Sequence, residues 1–477
     1  MWLHPHKKDK NMPENRDLKL SVNDAVKIEF TNKSATAYGG FALLAKFFKK
    51  VQLQQAIENA IPFKEISPNS TGLFAKVIRF GLTVAAGGSR YSHSMFLGDS
   101  LEIYQAEFEV ERIPKSITAV TRFFKKFKDQ KTMEYFSDKV WTFLFKVIYP
   151  LVKSDEDYLT FDSTVITRYG EQEGVDKGYN PKKKGRPSHH PIIAFLNRAR
   201  FIANFWNRCG SASSGNGIIG FANQTLERLT GLVKITKILA DSGFYKEDFL
   251  EFLEGKTIEY IISAVLYGPI QRSIYAISEW KFVDEDIAVG EFYFKHEKWT
   301  KSRRYIVIRK TLSVNKPSPQ GKQLSLFKED ELFEKYRFGI YVTSSTENGV
   351  DLWRTYRLRA SDEGLIRELK EDFSLEGFAV DEFYPTEAAM LVRVLFYNLM
   401  ECFIKKLLTG EEQITFKTFR MKYLLIPAIL GADGKELVIR MAVKSEKIKA
   451  KIISLIKQMD ELKINCIAFE NSTNSTG

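Results

Sequence analysis

Four residues in the C-terminal half restrict what this chain can fold into more than any other feature: Tyr356, Arg359, Glu363 and Lys370. Their successive offsets are three, four and seven residues. On a helix advancing about 100° per residue, all four fall within an arc of about 60°. The apolar residues Leu365, Ile366, Leu369 and Phe373 fall on the adjoining side. The segment therefore reads as a helix with one apolar face and one polar stripe. A phenol, a guanidinium, a carboxylate and an ammonium on one stripe of a buried helix need partners. Two of these groups can hold phosphate and one can hold a metal.

The bulk composition narrows the partners. The chain has 477 residues, enough for two or three domains with real cores, and 44% are hydrophobic. Its net charge of +12 favours a polyanion, either nucleic acid or an anionic membrane surface. A merely basic cytosolic protein would carry the same charge. The membrane reading lacks an amphipathic anchor. It also lacks a run of about 18 uncharged apolar residues. The basic start, Met1 to Lys10, has no apolar stretch of a secretory signal. Cys209, Cys402 and Cys466 are far apart and odd in number, with no disulfide framework and no paired-cysteine zinc motif. A reducing compartment, the cytoplasm, fits best.

Along the chain, residues 1–35 read as a polar N-terminal tail and 36–150 as a helical DNA-binding domain. Phe41, Leu43, Leu44, Phe47 and Phe48 mark an apolar helix face beside Lys46, Lys49 and Lys50. Ile117 to Phe127 interleaves apolar residues with Arg122, Lys125 and Lys126. Basic faces of this kind can lie on DNA, and a solvated face is the plain alternative. Asp157 to Thr167 is rich in β-formers and contains Asp162. Lys177 to Pro191 reads as an exposed basic loop, and Ile192 to Phe205 as another strand. A helix is expected over Gly217 to Leu229, then a strand from Leu232 to Ala240 that ends at Asp241-Ser-Gly-Phe-Tyr245.

Residues 257–345 read mostly as strands, at Tyr260–Tyr267, Glu291–Lys295, Arg304–Arg309 and Phe338–Ser344, with a loop at Asn315–Lys328. Helices dominate from about Arg357 to Leu408. Arg420–Ile429 and Glu436–Met441 flank Asp433-Gly434, which favours a hairpin. A last helix runs from about Ser445 to Leu462. The expected fold is an α/β core in two parts, 151–256 and 346–410, the second carrying the Glu363 helix. A β-rich insertion at 257–345 separates them, and 411–477 forms a C-terminal hairpin and helix as a candidate dimerisation region.

Phosphoryl displacement suggests a use for the acidic residues. Two divalent cations about 4 Å apart can activate an attacking oxygen and stabilise a leaving one. Magnesium takes hard oxygen ligands, and three carboxylates from separate elements make a minimal protein site. Asp162 inside a strand, Asp241 at a strand end and Glu363 on a helix suit that geometry, although spacing among 59 acidic residues does not show that they converge.

Three stretches are recognisable: Phe161-Asp162-Ser163-Thr164, Ala240-Asp241-Ser242-Gly243-Phe244-Tyr245, and the spacing Tyr356-x2-Arg359-x3-Glu363-x6-Lys370. On these the chain resembles the DDE transposases of bacterial insertion sequences, in the subgroup marked by a Tyr-x2-Arg-x3-Glu-x6-Lys signature. The basic segment from Gly178 to Pro191 is similar to text between the two aspartate motifs in one branch of these elements. The resemblance covers roughly residues 36–445. It implies a ribonuclease-H-like core with a β-rich insertion before the glutamate helix; the 122 residues from Asp241 to Glu363 (363 − 241) leave room for one. It also implies cut-and-paste movement of a DNA element by a homodimer that pairs two terminal inverted repeats and inserts them into target DNA. By the same resemblance, Asp162, Asp241 and Glu363 hold two Mg2+ ions, with Mn2+ as a substitute. Cleavage then runs through a DNA hairpin. Tyr356, Arg359 and Lys370 grip phosphates near the cut end, and a tryptophan in the insertion holds a flipped base.

Each residue also has a plainer reading. Asp162 can be a strand-end cap, Asp241 a turn residue and Glu363 an ordinary first-turn glutamate. Arg359 can pair with Asp362 or Glu363, Lys370 can be helix surface, and Tyr356 can be core packing. Trp299, beside Arg303 and Arg304, is the candidate base-stacking residue, and Trp280 competes with it. Lys182, Lys183, Lys184 and Arg186 are candidate DNA contacts or a solvated loop. His189 and His190 lack partners at zinc-finger spacing and suit a backbone or DNA contact. The expected function is a DNA transposase. The alternatives are a DNA-binding protein without catalysis and a nuclease that cuts without joining.

Overall fold

The computed structural model describes residues 21–23, 26–27, 31–65, 67, 69–178, 180, 183–312 and 335–464. Most of the polar tail at 1–35, the loop expected at Asn315–Lys328, Lys182 and Cys466 lie outside them.

Among the described residues, nine strands form the main sheet: β1 (Glu156–Ser163), β2 (Ile192–Leu196), β3 (Phe201–Trp206), β4 (Lys234–Ala240), β5 (Glu259–Ser263), β6 (Lys281–Phe282), β7 (Ile287–Phe294), β8 (Arg303–Thr311) and β9 (Tyr336–Thr343). Their spatial order is β6-β7-β8-β9-β5-β4-β1-β2-β3. β1, β2 and β3 form an antiparallel meander, whereas β4 lies parallel to both β1 and β5. An antiparallel meander followed by two parallel strands on the side of β1 is the ribonuclease-H-like arrangement. β2 is buried at all five positions, as a strand covered on both faces must be.

Helices supply both covers. On one face α7 (Ile218–Leu229) and α8 (Glu247–Gly255) press Phe221 and Phe249 against Phe161, with ring centroids 5.8 and 6.0 Å away. The other face takes α12 (Phe383–Leu407), which is apolar nearly all round because it is buried nearly all round. Its Asn398 amide exchanges two 2.9 Å hydrogen bonds with the main chain of Ile202 in β3. Among the described residues, N-terminal helices pack on the far side of α12: α1 (Phe41–Lys50), α2 (Leu53–Ala60), α3 (Leu73–Ala85), α4 (Leu101–Glu107), α5 (Ile117–Phe124) and α6 (Gln130–Phe143). Phe47 and Phe48 of α1 meet Phe403 and Phe396 edge-on at 5.3 and 5.6 Å. The lysines of α1 are partly engaged: Lys46 pairs with Asp460 at 2.6 Å, and Lys49 pairs with Glu109.

Several elements differ from the sequence expectation. Ile192 to Phe205 is a hairpin rather than one strand. The Asp157 carboxylate accepts the amides of Arg198 and Ala199 at 2.7 and 3.0 Å, which stabilises a reversal hidden among apolar residues. Arg200 completes the turn in the left-handed region at φ 53°. Tyr260–Tyr267 is a strand only to Ser263; Pro269, near the start of α9 (Gly268–Tyr275), favours a helix start. The described strands of the β-rich segment join the main sheet. β9 pairs with β5 and so extends the core sheet. The C-terminal hairpin lies at Ala428–Asp433 and Glu436–Met441, turning at Gly434 with φ 60°, while Arg420–Leu424 is helical. The last helix runs over Glu446–Glu461. Among the described residues, no helix is long and apolar enough to cross a membrane.

Candidate active site

The parallel pairing of β1 and β4 sets Phe161 opposite Ala240. The next residue on each strand, Asp162 and Asp241, therefore emerges side by side at the carboxyl edge of the sheet, where α/β folds hold their ligands. Asp162 is 6% exposed, and its Oδ1 accepts the Ser163 amide at 2.7 Å. Asp241 caps the turn after β4, with Oδ1 accepting the Gly243 amide at 2.8 Å. The remaining oxygens converge on one cation. Arg359 Nη2 lies 2.8 Å from Asp162 Oδ2 and 3.7 Å from Asp241 Oδ2. Burial pushes the Asp162 carboxyl up to about 6, against the pull of Arg359 and with added repulsion from Asp241 and Glu363.

The polar stripe is carried by two helices. α10 (Gly349–Arg357) ends just after Tyr356, and α11 (Ala360–Glu371) begins just after Arg359. Between them the amides of Leu358 and Arg359 bond three residues back, to Thr355 and Tyr356, which tightens the chain into a turn. Arg359 thus projects from a helix junction, and its partners include the two strand aspartates. Tyr356 is directed at the same strand edge: its phenol donates to the Ala240 carbonyl at 3.2 Å. Burial pushes that phenol up to about 12. Lys370 donates to the Val165 carbonyl at 2.9 Å and pairs with Glu376 at 3.2 Å. Leu365, Leu369 and Phe373 are buried.

Glu363 is exposed, one helical turn after Arg359, and close enough for its charge to be felt at Asp162. Among the described residues, no group of three His, Cys, Asp or Glu side chains is gathered as a metal site. Asp162 and Asp241 nevertheless fit a divalent cation, because their hard oxygens already share one cation. Glu363 is the further carboxylate that would complete such a set. Its helix is anchored firmly. Arg200 lies 3.4 Å from Glu368 of α11 and 2.8 Å from Glu401 of α12, and Glu368 also accepts the Phe416 amide.

A hydroxyl and imidazole chain borders Asp162. His190 Nδ1–H donates to the Ala212 carbonyl at 2.5 Å, which leaves Nε2 to accept from Ser163 Oγ at 3.1 Å. Ser163 Oγ in turn lies 2.8 Å from Ser214 Oγ. Arg208 holds the loop that carries Ser214 through four carbonyls, of His190, Ser213, Ser214 and Asn216, at 2.7–3.2 Å. Ser163 follows Asp162 in its motif, so it was visible; Arg208 and Ser214 had no sequence signal. His189 lies on the other side of this segment, accepting from Arg168 Nε at 3.3 Å and donating to the Glu173 carbonyl at 3.0 Å.

The other candidates lie elsewhere. Trp299 is half-buried against His296 and Tyr245, at 4.1 and 5.1 Å, with the Arg303 guanidinium 5.1 Å from its ring. Trp280 packs under Arg309 at 4.3 Å. Arg303 is buried and paired with Glu254 at 2.9 Å. Arg304 is paired with Glu291 at 2.7 Å and donates to the Ser345 and Glu347 carbonyls. Lys183, Lys184 and Arg186 are exposed, and Lys183 and Arg186 flank the exposed ring of Tyr169.

A family model described as transposase DDE domain group 1 matches residues 18–463. No curated protein matches significantly. Among solved structures, the chain aligns with a piggyBac transposase in a synaptic complex with hairpin DNA, at 12% identity and a TM-score of 0.42 over 82% of each chain.

Proposed function

The chain belongs to the transposase DDE domain group 1 family, and from that premise we propose that it moves an insertion sequence by cut-and-paste. Membership makes it a transposase that cleaves and joins DNA and works with divalent metal ions. The finer reading is that Asp162, Asp241 and Glu363 hold two Mg2+ ions. Held there, the ions would activate the attacking oxygen and stabilise the departing one.

The chain's own groups do the rest. Asp162 and Asp241 are pre-set by the amides of Ser163 and Gly243, so only Glu363 must swing inward from solvent. Arg359 and Lys370 offer cations to the phosphates on either side of the scissile bond, and Tyr356 steadies the strand edge between them. Lys183, Lys184 and Arg186 track the DNA backbone. A homodimer brings two terminal inverted repeats together in the cytoplasm, and cleavage proceeds through a hairpin.

One observation carries this reading: the parallel β1–β4 pair, with Phe161 opposite Ala240, that aims two carboxylates at one shared cation. The test is a cleavage and strand-transfer assay on DNA carrying the inverted repeats that flank the gene. Asp162→Asn, Asp241→Asn and Glu363→Gln should each lower both steps by about a thousandfold or more. Wild-type rates in these variants would reject the site. Cleaved ends without hairpin or joined product would mark a nuclease instead.

A further inference from the structure

Arg359 stands where a metal ion would have to bind. Its Nη2 contacts Asp162 Oδ2 at 2.8 Å and faces Asp241 Oδ2 at 3.7 Å, and these oxygens come from the two strands that present the acids. Without a cation, the two carboxylates would repel each other at a strand edge where Asp162 is 6% exposed. The guanidinium relieves that repulsion. It cannot share the position, since a magnesium ion needs its oxygens at about 2.0–2.1 Å, inside the volume the guanidinium fills.

A displaced guanidinium needs another anion. A DNA phosphate is the natural one, because its paired oxygens match the fork of N–H donors. Arg359 also lies at the junction of α10 and α11, one turn before Glu363. The side chain that must leave and the carboxylate that must arrive therefore belong to one short segment.

We propose that Arg359 is a built-in placeholder cation that couples metal binding to DNA binding: it seals the acid pair in the DNA-free protein and is drawn off by a DNA phosphate when the site is loaded. The proposal rests on the reading of Asp162 and Asp241 as metal ligands. The coupling is reciprocal, so metal must tighten DNA binding as much as DNA tightens metal binding. It keeps a cleavage centre from assembling away from DNA.

The test is calorimetric titration of Mn2+ into the full-length protein, with and without a duplex carrying the flanking inverted repeat. Arg359→Gln should bind Mn2+ on the order of tenfold more tightly than wild type without DNA. Arg359→Lys, which keeps a cation, should stay near wild type. The duplex should tighten Mn2+ binding to wild type by a similar factor and leave Arg359→Gln nearly unchanged. A merely structural arginine predicts weaker binding, not tighter. If Arg359→Gln binds Mn2+ no more tightly than wild type while Asp162→Asn abolishes binding, the placeholder is wrong and the metal site stands. If Asp162→Asn and Asp241→Asn bind as wild type does, the site itself falls and the placeholder with it.

Discussion

The phenol of Tyr356 donates to the main-chain oxygen of Ala240 at 3.2 Å, tying the last turn of α10 to the residue that precedes Asp241. The ring is held from the side by Tyr341, 4.3 Å away. The strand edge that presents Asp241 is therefore braced by the same helix pair that supplies Arg359 and Glu363. Sheet and helices are registered against each other at the point where the acids meet.

Removing the phenol tests whether Tyr356 braces or grips. Tyr356→Phe keeps the ring contact and deletes one partly buried hydrogen bond, a loss of about 1 kcal/mol in stability. Looser placement of Asp241 should slow cleavage by about tenfold. DNA affinity and its dependence on salt should stay at wild-type values, because no phosphate contact is lost. A flatter salt dependence, measured by fluorescence anisotropy at several salt concentrations, would assign the phenol to DNA instead.

Arg200 should matter out of proportion to its distance from the chemistry. It sits between Glu368 and Glu401, whose side chains are 5% and 4% exposed. Arg200→Ala leaves two buried carboxylates with their shared cation gone, a loss of about 3–5 kcal/mol. The same change loosens α11, which carries Glu363. The urea-unfolding midpoint should fall markedly. Arg200→Lys should recover part of the loss, since it keeps the charge but not the forked geometry.

The first-order pattern was legible because it is local. Alternating and apolar runs marked β1, β4, α7 and the last helix to within a few residues, and the acids lay at strand ends. What stayed hidden depends on distant partners. The turn at Asn197–Arg200 is held by Asp157, forty-odd residues earlier, and contains neither glycine nor proline. The stripe of 356, 359, 363 and 370 was readable as spacing. That it spans two helices, with Arg359 reaching the strand acids Asp162 and Asp241, follows from tertiary contacts that spacing does not encode. The basic residues of the β-rich segment looked free for DNA in the sequence, yet Arg303 and Arg304 meet Glu254 and Glu291 once the sheet forms.

The small sheet of Ile166–Thr167, Asp176–Lys177 and Pro187–His189, beside the basic segment, should be sensitive to acid. His189 is fully buried, and burial pushes its imidazole down to about 4 from an ordinary 6.5. The folded state thus binds a proton less readily than the unfolded state. The stability it contributes is complete above about pH 6.5 and is lost as pH falls toward 4. The drop across that window is about 3 kcal/mol at most. Unfolding free energies of wild type and His189→Gln, measured from pH 7.5 to pH 4.5, should converge as pH falls. A difference that stays constant with pH would show that His189 does not titrate in this window.

Gly81 sets how closely α3 approaches α12. A Cβ at this position would lie 1.9–2.6 Å from three ring atoms of Phe396. Two effects then oppose each other in Gly81→Ala. Alanine favours the helix over glycine by about 1 kcal/mol. Overpacking a filled core costs about 1–3 kcal/mol. The outcome depends on whether the ring can yield. Phe396 is 2% exposed and meets Phe48 of α1 edge-on at 5.6 Å, so moving it displaces a third helix. Overpacking should therefore win, and Gly81→Ala should lower stability by about 1–2 kcal/mol in urea unfolding. Phe396→Leu removes the clashing ring atoms, so in that background the same alanine should become neutral or stabilising. An alanine that stabilises the wild-type background would mean the two helices stand further apart than a glycine contact requires.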